Sequence, residues 1–352
     1  MESIPSEQHA WVVTRQGFPI KALAFKTDWP VPKKLEDNEV LVKIQAAALN
    51  PGGWKLMVAV PNFLIKRPHV AELDFAGVVV KENSTQFTDG EAVFGWIPAD
   101  LQWKTQQGAL AQYARVPSSA LVKRPPNITP TQAAGITVAA LTSYQALFHI
   151  AKLEADQTVF INGGSSSLGA YAIQFAKAKG AKVIATASEK NEDLVRELGA
   201  DEFIDYTKKP LYAQLLENPP TTKYHVIYDA VGVIDPSLFT YSEKYLAPNG
   251  IFISSGPMPT KISIGEAWKL VKTLLAMFTP AVLGGINRRY SVIFTKNNPD
   301  DLNAIQKLVA DGKVKPVVDS VYELHDALAA YDKIMTSRAR GKVIVKIDPG
   351  VN

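Results

Sequence analysis

Short apolar runs alternate with helical patterns through the second half of the chain. The first run leads through a glycine- and serine-rich turn into the alanine-rich helix Ala170–Gly180. We predict six strands there: Val159–Asn162, Lys182–Ala187, Asp201–Tyr206, His225–Asp229, Gly250–Ser254 and Tyr290–Phe294. Strands that alternate with helices indicate a parallel sheet with right-handed crossovers. The pattern therefore predicts an α/β fold with a doubly wound, Rossmann-type parallel sheet.

The first 126 residues carry shorter runs that follow one another more closely. The predicted strands are Ala10–Val13, Ile20–Phe25, Glu39–Leu49, Phe75–Lys81, Ala92–Gly95 and Gly108–Val116. Regularly spaced short strands with turn signals between them are typical of a β-barrel. The proline-containing segment Lys123–Asn127 marks the end of this region. A helix should open near Thr129, and a second should span Leu141–Ala151.

The C-terminal part of the chain again mixes helices and strands. The predicted elements are a helix Asp300–Ala310, a strand Pro316–Tyr322, a helix Leu324–Met335 and a strand Gly341–Ile347. We predict two domains. One is a β-barrel-like domain at the start of the chain, and the other is a Rossmann domain that follows the boundary at Lys123–Asn127.

The turn between Val159–Asn162 and Ala170–Gly180 has the small residues that a pyrophosphate site requires. The backbone approaches the phosphates closely, and the following helix offers unpaired N–H groups at its positive end. The usual spacing is Gly-x-Gly-x-x-Gly. Here it is Gly163-x-x-Ser166-x-x-Gly169. The alternative interpretation is an ordinary turn between strand and helix, and the succession of further strands favours the dinucleotide site.

Composition and charge exclude several classes of protein. The chain has 352 residues, a net charge of +4 and no cysteine. The small, dispersed positive charge gives no reason to expect nucleic acid as a partner. Without cysteine there are no disulfides and no thiolate metal sites, and the five scattered histidines have no ligand spacing. No signal-peptide pattern occurs at the N-terminus, so we expect a cytoplasmic protein.

One apolar stretch, Leu270–Gly285, requires separate consideration. Its longest uncharged run is too short to span a bilayer, so we expect no membrane span. It is interpreted either as a buried or half-buried helix or as an apolar wall of a substrate pocket. Because it follows the fifth strand, it starts near the carboxyl edge of the sheet, where such folds bind ligands. Met277 and Phe278 are the predicted substrate contacts, and the substrate should be larger and more apolar than a short-chain enone.

Several segments resemble the zinc-independent branch of the medium-chain dehydrogenase/reductase superfamily. The matching segments are Leu49–Lys55, Leu73–Val79, Gly90–Gly95, Leu198–Asp201 with Ile204–Tyr206, and Gly341–Val343. Gly53 stands where the first segment of the family has aspartate, and Ser166 and Ser167 stand where paired glycines are usual. The resemblance runs nearly end to end and is strongest to quinone oxidoreductases and enoyl reductases. It implies a GroES-like catalytic domain of residues 1–126 and 314–352, together with a Rossmann domain of residues 127–313.

The resemblance also implies a nicotinamide cofactor, and the second strand bears on which one. An NAD site places a carboxylate at the end of that strand to hold the ribose 2′-OH. Here the region holds Ser188, Lys190 and Asn191, which accept a 2′-phosphate without charge repulsion. Tyr206 matches a family tyrosine at the same phosphate. Glu189 argues against NADPH, because its carboxylate could point towards the cofactor. Lys190 is alternatively a solvated lysine at the start of a helix, without a role in cofactor binding. We predict NADPH.

The predicted cofactor-binding residues come from both domains. They are Asn50, Lys55, Thr142, Gly164, Ser165, Ser166, Ser167, Leu168, Gly169, Ser188, Lys190, Asn191, Tyr206, Val231, Ser254 and Lys342. By resemblance, Asn50 and Lys55 lie beside the nicotinamide ribose, and these two with Thr142 are the predicted catalytic residues. The alternatives are a turn residue for Asn50 and a solvent-facing lysine for Lys55. No side chain is singled out as the general acid.

These features predict a zinc-free, NADPH-dependent reductase. Hydride would go to an activated C=C of an enone or enoyl thioester, or to a quinone, with the developing charge on an oxygen near hydrogen-bond donors. The choice between quinone and enoyl substrate stays open. Two rival interpretations are a catalytically weak binding protein of the same fold, as among crystallin and RNA-binding relatives, and a trans-acting partner of a polyketide synthase. The sequence also leaves open whether the chain forms a homodimer.

Overall fold

The chain forms two units, each with its own sheets. The computed structural model describes residues 4–257 and 264–351. One unit comprises residues 4–141 and 296–351, and the other comprises residues 142–295. Both boundaries differ from the predicted ones at 126/127 and 313/314.

All strands and helices are numbered in chain order. The strands are β1 (Glu7–Val13), β2 (Leu23–Pro30), β3 (Glu39–Ala48), β4 (His69–Val70), β5 (Asp74–Asn83), β6 (Ala92–Trp96), β7 (Tyr113–Pro117), β8 (Leu121–Lys123), β9 (Thr158–Asn162), β10 (Lys182–Ala187), β11 (Glu202–Asp205), β12 (Tyr224–Asp229), β13 (Leu246–Ser254), β14 (Arg289–Val292), β15 (Val318–Glu323) and β16 (Lys342–Lys346). The helices are α1 (Pro19–Ala22), α2 (Pro51–Ala59), α3 (Ala99–Thr105), α4 (Pro130–Ala134), α5 (Thr137–Tyr144), α6 (Ser167–Lys179), α7 (Glu192–Glu197), α8 (Leu211–Glu217), α9 (Ser237–Thr240), α10 (Ile264–Phe278), α11 (Pro299–Ala310) and α12 (Ala327–Met335).

The unit of residues 142–295 is built on one six-stranded sheet. Its strand order is β11-β10-β9-β12-β13-β14, and every neighbouring pair is parallel. Counted within the unit, this is the order 3-2-1-4-5-6 of a Rossmann fold. The predicted doubly wound sheet is therefore confirmed. Phe160, Ile227 and Phe252 from its central strands belong to one buried apolar cluster.

The unit of residues 4–141 and 296–351 is mainly antiparallel. One sheet has the order β15-β16-β3-β5-β6-β8, with β7 also paired to β3, and a smaller sheet has the order β2-β1-β4. The first half of β3 pairs with β7 and its last three residues pair with β16. The C-terminal strands β15 and β16 thus complete a sheet begun by the N-terminal segment.

Packing explains the different unit boundaries. Helix α4 begins at the capping box of Thr129 and Gln132 and packs on β3 and β5, and α11 packs beside β8. Asn127 also donates from Nδ2 to the Val309 carbonyl at 3.0 Å. Both helices therefore belong to the β-rich unit, although the sequence placed them in the Rossmann domain. Propensity identifies such helices, but only tertiary contacts decide which sheet they cover.

Two predicted strands differ from the observed elements. Ile20–Ala22 lie in the helical turn α1, which begins with Pro19 at its first position, and the strand begins only at Leu23. The predicted strand Gly108–Val116 is reduced to β7, which begins at Tyr113. Gly108 lies so close to a neighbouring backbone that a Cβ there would be 2.2 Å from the Val70 carbonyl oxygen.

Helix α10 accounts for most of the apolar stretch Leu270–Gly285. Thr273 is its buried residue, and the hydroxyl of Thr273 donates to the Ile234 carbonyl. Leu275 and Phe278 are 58% and 73% exposed. The interpretation as a buried or half-buried helix therefore holds only for part of the stretch, whose residues are mostly exposed. Within residues 4–257 and 264–351, no helix combines the length and apolar character that a bilayer crossing requires.

Candidate active site

The turn between β9 and α6 has little room for side chains. Gly163 has φ +84°, and a Cβ on Gly169 would lie 2.1 Å from the Gly163 carbonyl oxygen. Ser166 is the N-cap of α6, and its Oγ accepts a hydrogen bond from the Gly169 N–H at 3.1 Å. This capping bond explains why serine suits position 166, where the usual fingerprint has glycine. Ser167 and Leu168 form the first turn of α6, whose free N–H groups suit a phosphate.

A buried polar network runs beneath the carboxyl ends of three strands. Thr186 Oγ1 donates to Asn162 Oδ1 at 2.9 Å, and Asn162 Nδ2 donates to Asp229 Oδ1 at 2.9 Å. Burial raises the pKa of the Asp229 carboxyl, although it accepts bonds from the N–H groups of Val231 and Val233. The sequence analysis missed these three polar residues. Their signal is a polar side chain at or near the end of an otherwise apolar strand.

Two predicted cofactor residues lie at the same edge of the sheet. Val231 follows β12, and its side chain lies beside the turn, where a Cβ on Gly163 would be 2.3 Å from it. Ser254 ends β13, and its Oγ donates to Asp229 Oδ2 at 3.4 Å. The structure therefore brings both residues to the edge that holds the glycine-rich turn.

Asn191 connects the turn to the end of β10. Its Nδ2 donates to Ser165 Oγ and to Ser188 Oγ, both at 3.2 Å. Its Oδ1 is buried and has no hydrogen-bond partner among the described residues. Tyr206 follows the neighbouring strand β11, donates its backbone N–H to the Ala187 carbonyl at 3.3 Å, and is 51% exposed. These polar groups fit the adenosine end of a dinucleotide, and the exposed Lys190 lies next in sequence to Asn191.

Two further predicted positions in this unit have defined surroundings. Gly164 packs closely, since a Cβ there would be 3.1 Å from Ala185 Cβ. Thr142 is buried in α5, and its Oγ1 lies 2.6 Å from Thr295 Oγ1. The helix then continues as a π-helical turn, Gln145–Ile150. Met277 and Phe278 occupy the end of α10, where Phe278 is exposed and Met277 is half-buried.

Asn50 and Lys342 meet in a buried cluster of the β-rich unit. Lys342 Nζ donates to Asn50 Oδ1 at 2.9 Å and to Asp74 Oδ2 at 2.8 Å. Asn50 Nδ2 donates to the same Asp74 oxygen at 3.1 Å, and Asp74 Oδ1 accepts from the Val138 N–H at 2.8 Å. Both partners of the ion pair are fully shielded. The predicted cofactor contact of Lys342 stays a prediction beside these observed bonds.

A second buried carboxylate, Glu72, lies beside this cluster. Tyr331 donates its hydroxyl proton to Glu72 Oε1 at 2.7 Å, and the Asn50 backbone N–H donates to Glu72 Oε2 at 3.0 Å. Burial raises the pKa of Glu72 to about 7 against the effect of these bonds, and burial with the nearby carboxylate also raises the pKa of Tyr331. Sequence analysis missed Glu72, Asp74 and Tyr331, because their partners are far away in the sequence. Tyr331 is 259 positions from Glu72, and Lys342 is 268 positions from Asp74.

Lys55 lies in α2, five residues after Asn50. Burial lowers the pKa of its ammonium group. No hydrogen bond or ion pair holds its Nζ within residues 4–257 and 264–351. Its role stays a prediction, but a partly buried cation on the helix that begins at Asn50 is suited to interact with negative charge.

Among the described residues, no three His, Asp or Glu side chains are grouped to hold a metal ion. The absence of zinc chemistry remains a prediction.

Known families match both units. Residues 36–126 match the alcohol dehydrogenase GroES-like domain, and residues 198–345 match the zinc-binding dehydrogenase family. Trans-enoyl reductase pgmF of Aspergillus terreus is 32% identical, with 98% of each chain covered. The quinone-oxidoreductase homolog of Spinacia oleracea chloroplasts is 34% identical, with 90% of this chain and 91% of the relative covered.

The fold also resembles solved structures along its whole length. The quinone oxidoreductase from Coxiella burnetii has a TM-score of 0.77 and 25% identity, with 97% of this chain and 99% of that one covered. A crotonyl-CoA carboxylase/reductase has a TM-score of 0.79 at 21% identity, with 98% of this chain and 89% of that one covered, and shows likeness of fold alone.

Proposed function

Because this chain belongs to the medium-chain dehydrogenase/reductase superfamily, we propose that it is an NADPH-dependent reductase. Its acceptor is an activated C=C of an enoyl thioester or enone, or a quinone, and the reaction proceeds without zinc. The observation that carries the proposal is the polar edge of the parallel sheet, where the β9–α6 turn and Asn191 form a dinucleotide-shaped set of donors.

NADPH is proposed over NADH because of the end of β10. Ser188 stands there without a side-chain carboxylate, and Asn191 Nδ2 donates to its hydroxyl. The exposed Lys190 and Tyr206 add a cation and a phenol near the ends of neighbouring strands. A ribose 2′-phosphate requires such donors and is repelled by a carboxylate. We assign no cofactor contact to Glu189, the exposed carboxylate next to Ser188.

A bound nicotinamide supplies the hydride. The chain then has to orient the acceptor and stabilise negative charge that develops on an enolate or quinol oxygen. We assign this task to Lys55, as a partly buried cation, and to Asn50, whose side chain is fixed by Lys342 and Asp74. Fixed donors stabilise the charge without reorganising during the reaction. Thr142 is proposed as a third contact.

Enoyl thioesters are proposed as the first substrate class. Relatives named trans-enoyl reductases match over nearly the entire chain at 30–32% identity. Quinones remain the second class, since quinone oxidoreductase homologues are 33–34% identical over 90% of it. The relatives named trans-enoyl reductases also support a second proposal, that this chain acts beside a synthase on carrier-bound acyl chains.

The test is steady-state oxidation of NADPH with a panel of enones, quinones and enoyl thioesters, each thioester both free and carrier-bound. The proposal expects turnover with at least one class. Activity restricted to carrier-bound thioesters would support the synthase partner. Cofactor binding with no turnover on any acceptor would contradict the reductase and favour the binding-protein interpretation.

A further inference from the structure

Helix α2 begins without the usual side-chain cap. Asn50 is its N-cap residue, but the Asn50 side chain bonds to Asp74 and Lys342 and makes no capping bond. In a capping box, a Glu or Gln at the third helical position accepts a hydrogen bond from the N-cap backbone N–H. That position in α2 is Gly53, which has no side chain. The N–H of Asn50 therefore needs an acceptor from elsewhere in the chain.

Glu72 provides this acceptor from outside the helix. Its Oε2 accepts from the Asn50 N–H at 3.0 Å, while its Oε1 would be 2.4 Å from a Cβ built on Gly53. The carboxylate thus fills the space in which a side chain at position 53 would begin. Glu72 has φ +61°, a conformation that favours glycine, so its placement is held against backbone strain. Tyr331 fixes the other carboxylate oxygen at 2.7 Å.

We propose that Glu72 is a positioning residue for the active site. Its carboxylate replaces the missing cap at Gly53 and holds the start of α2, and hence Asn50 and Lys55, in the orientation that the reaction requires. Tyr331 in turn orients Glu72. This inference rests on the proposed reductase function, in which Asn50 and Lys55 act on the acceptor.

Ionisation of Glu72 should then affect catalysis. Two neighbours donate to it, Tyr331 from α12 and the Asn50 N–H from the start of α2, and an ionised carboxylate accepts both bonds. The charged groups that face it are Lys342 from β16 and Asp74 from β5, with opposite effects on its pKa. Burial outweighs them and raises the pKa of Glu72 to about 7. The cap should therefore weaken as the pH falls below about 7.

The test exchanges the two positions. Glu72→Gly should lower kcat by roughly 10- to 100-fold, the effect expected of a displaced catalytic group. Gly53→Glu alone should also impair the enzyme, because two carboxylates compete for one space. In the Gly53→Glu/Glu72→Gly double variant, the helix carries its own cap, so kcat should recover by about tenfold from the Glu72→Gly value. Ser84→Gly is the matched control, since Ser84 also has a positive φ but lies outside this cluster.

Two further readouts separate positioning from simple destabilisation. The acidic limb of the kcat profile near pH 7 should disappear in Glu72→Gln, because the amide that replaces the carboxyl does not titrate. Amide hydrogen exchange in Asn50–Ala59 should rise in Glu72→Gly and return towards normal in the double variant. Wild-type kcat and exchange in Glu72→Gly, or no recovery in the double variant, would overturn the inference. Because exchange does not depend on turnover, an inactive wild type would refute the proposed function while leaving the cap testable.

Discussion

Ser166 shows how one residue meets two requirements at once. Ser166 is the N-cap of α6, and its hydroxyl accepts a hydrogen bond from the Gly169 N–H. Its side chain is also small, as the closely packed turn between Gly163 and Gly169 requires. Glycine at this position would leave that N–H without its side-chain acceptor. The departure from the usual glycine pattern is therefore compatible with the dinucleotide site. Ser188, at the end of the next strand, is the residue to which we assign the cofactor preference.

We expect the wild type to bind NADPH more tightly than NADH by at least about 1.4 kcal/mol, or tenfold. Ser188→Asp should abolish this preference, because it places a carboxylate where the 2′-phosphate is proposed to bind. Tryptophan fluorescence titration of both cofactors provides the measurement. Ser84→Asp, which adds the same charge to an exposed loop of the other unit, serves as control. Equal wild-type affinity for the two cofactors would refute the assignment.

Glu72 should also affect stability as a function of pH. Its pKa is about 7 in the folded chain and near 4.5 when unfolded. Between these values the folded state retains a proton that the unfolded state has lost, so the free energy of unfolding falls as pH rises. In Glu72→Gln this fall should be smaller by about 1–3 kcal/mol.

Urea unfolding at about pH 5 and about pH 8 measures this difference between wild type and variant. Glu82→Gln, at an exposed position of β5, controls for the loss of one charge. An identical pH dependence in wild type and Glu72→Gln would show that the carboxyl is not perturbed by its burial.

Helix α10 leaves most of its large apolar residues exposed, among them Trp268, Leu275 and Phe278. Exposed apolar residues that lie close together often mark a binding surface. The interpretation of α10 as an apolar wall for the acceptor stays a prediction. Ala276 and Ile286 pack against the apolar cluster of the sheet, so one side of this region is anchored there.

Phe278→Glu should raise KM for bulky acceptors several-fold and leave NADPH affinity nearly unchanged. Because Phe278 is 73% exposed, the melting temperature should change little. Met277→Glu should act in the same direction. Leu216→Glu, on the exposed side of α8, is the matched control. Unchanged KM values would refute the acceptor wall, and dissociation of an oligomer in size-exclusion chromatography would assign the helix to a subunit interface instead.

At the scale of the whole molecule, the chain combines a family described as zinc-binding with a sequence that has no cysteine. The described histidines and carboxylates form no group suited to a metal ion. Turnover should therefore survive prolonged treatment with EDTA. Activity that is lost on chelation and returns on adding zinc would contradict this expectation, and a zinc-dependent alcohol dehydrogenase assayed in parallel would show that the chelation worked.

The sequence by itself determined the order of elements in the Rossmann unit. Alternation of apolar strands with helices, and small residues in the turn at Gly163–Gly169, are local properties, so periodicity and turn chemistry identify them. Cysteine content and the lack of a carboxylate at Ser188 are equally local. The resemblance to a family of reductases also depended on short contiguous segments.

Only the tertiary structure decided which distant residues come together. Glu72 contacts both Gly53 and Tyr331 although Tyr331 follows it by 259 positions, and no local pattern in the sequence records such a contact. No local pattern predicts the contact between Lys342 and Asn50 either, nor that α4 and α11 pack on the β-rich unit. A buried polar group is stable only when its partners are present, and those partners are supplied by the fold rather than by neighbours in sequence.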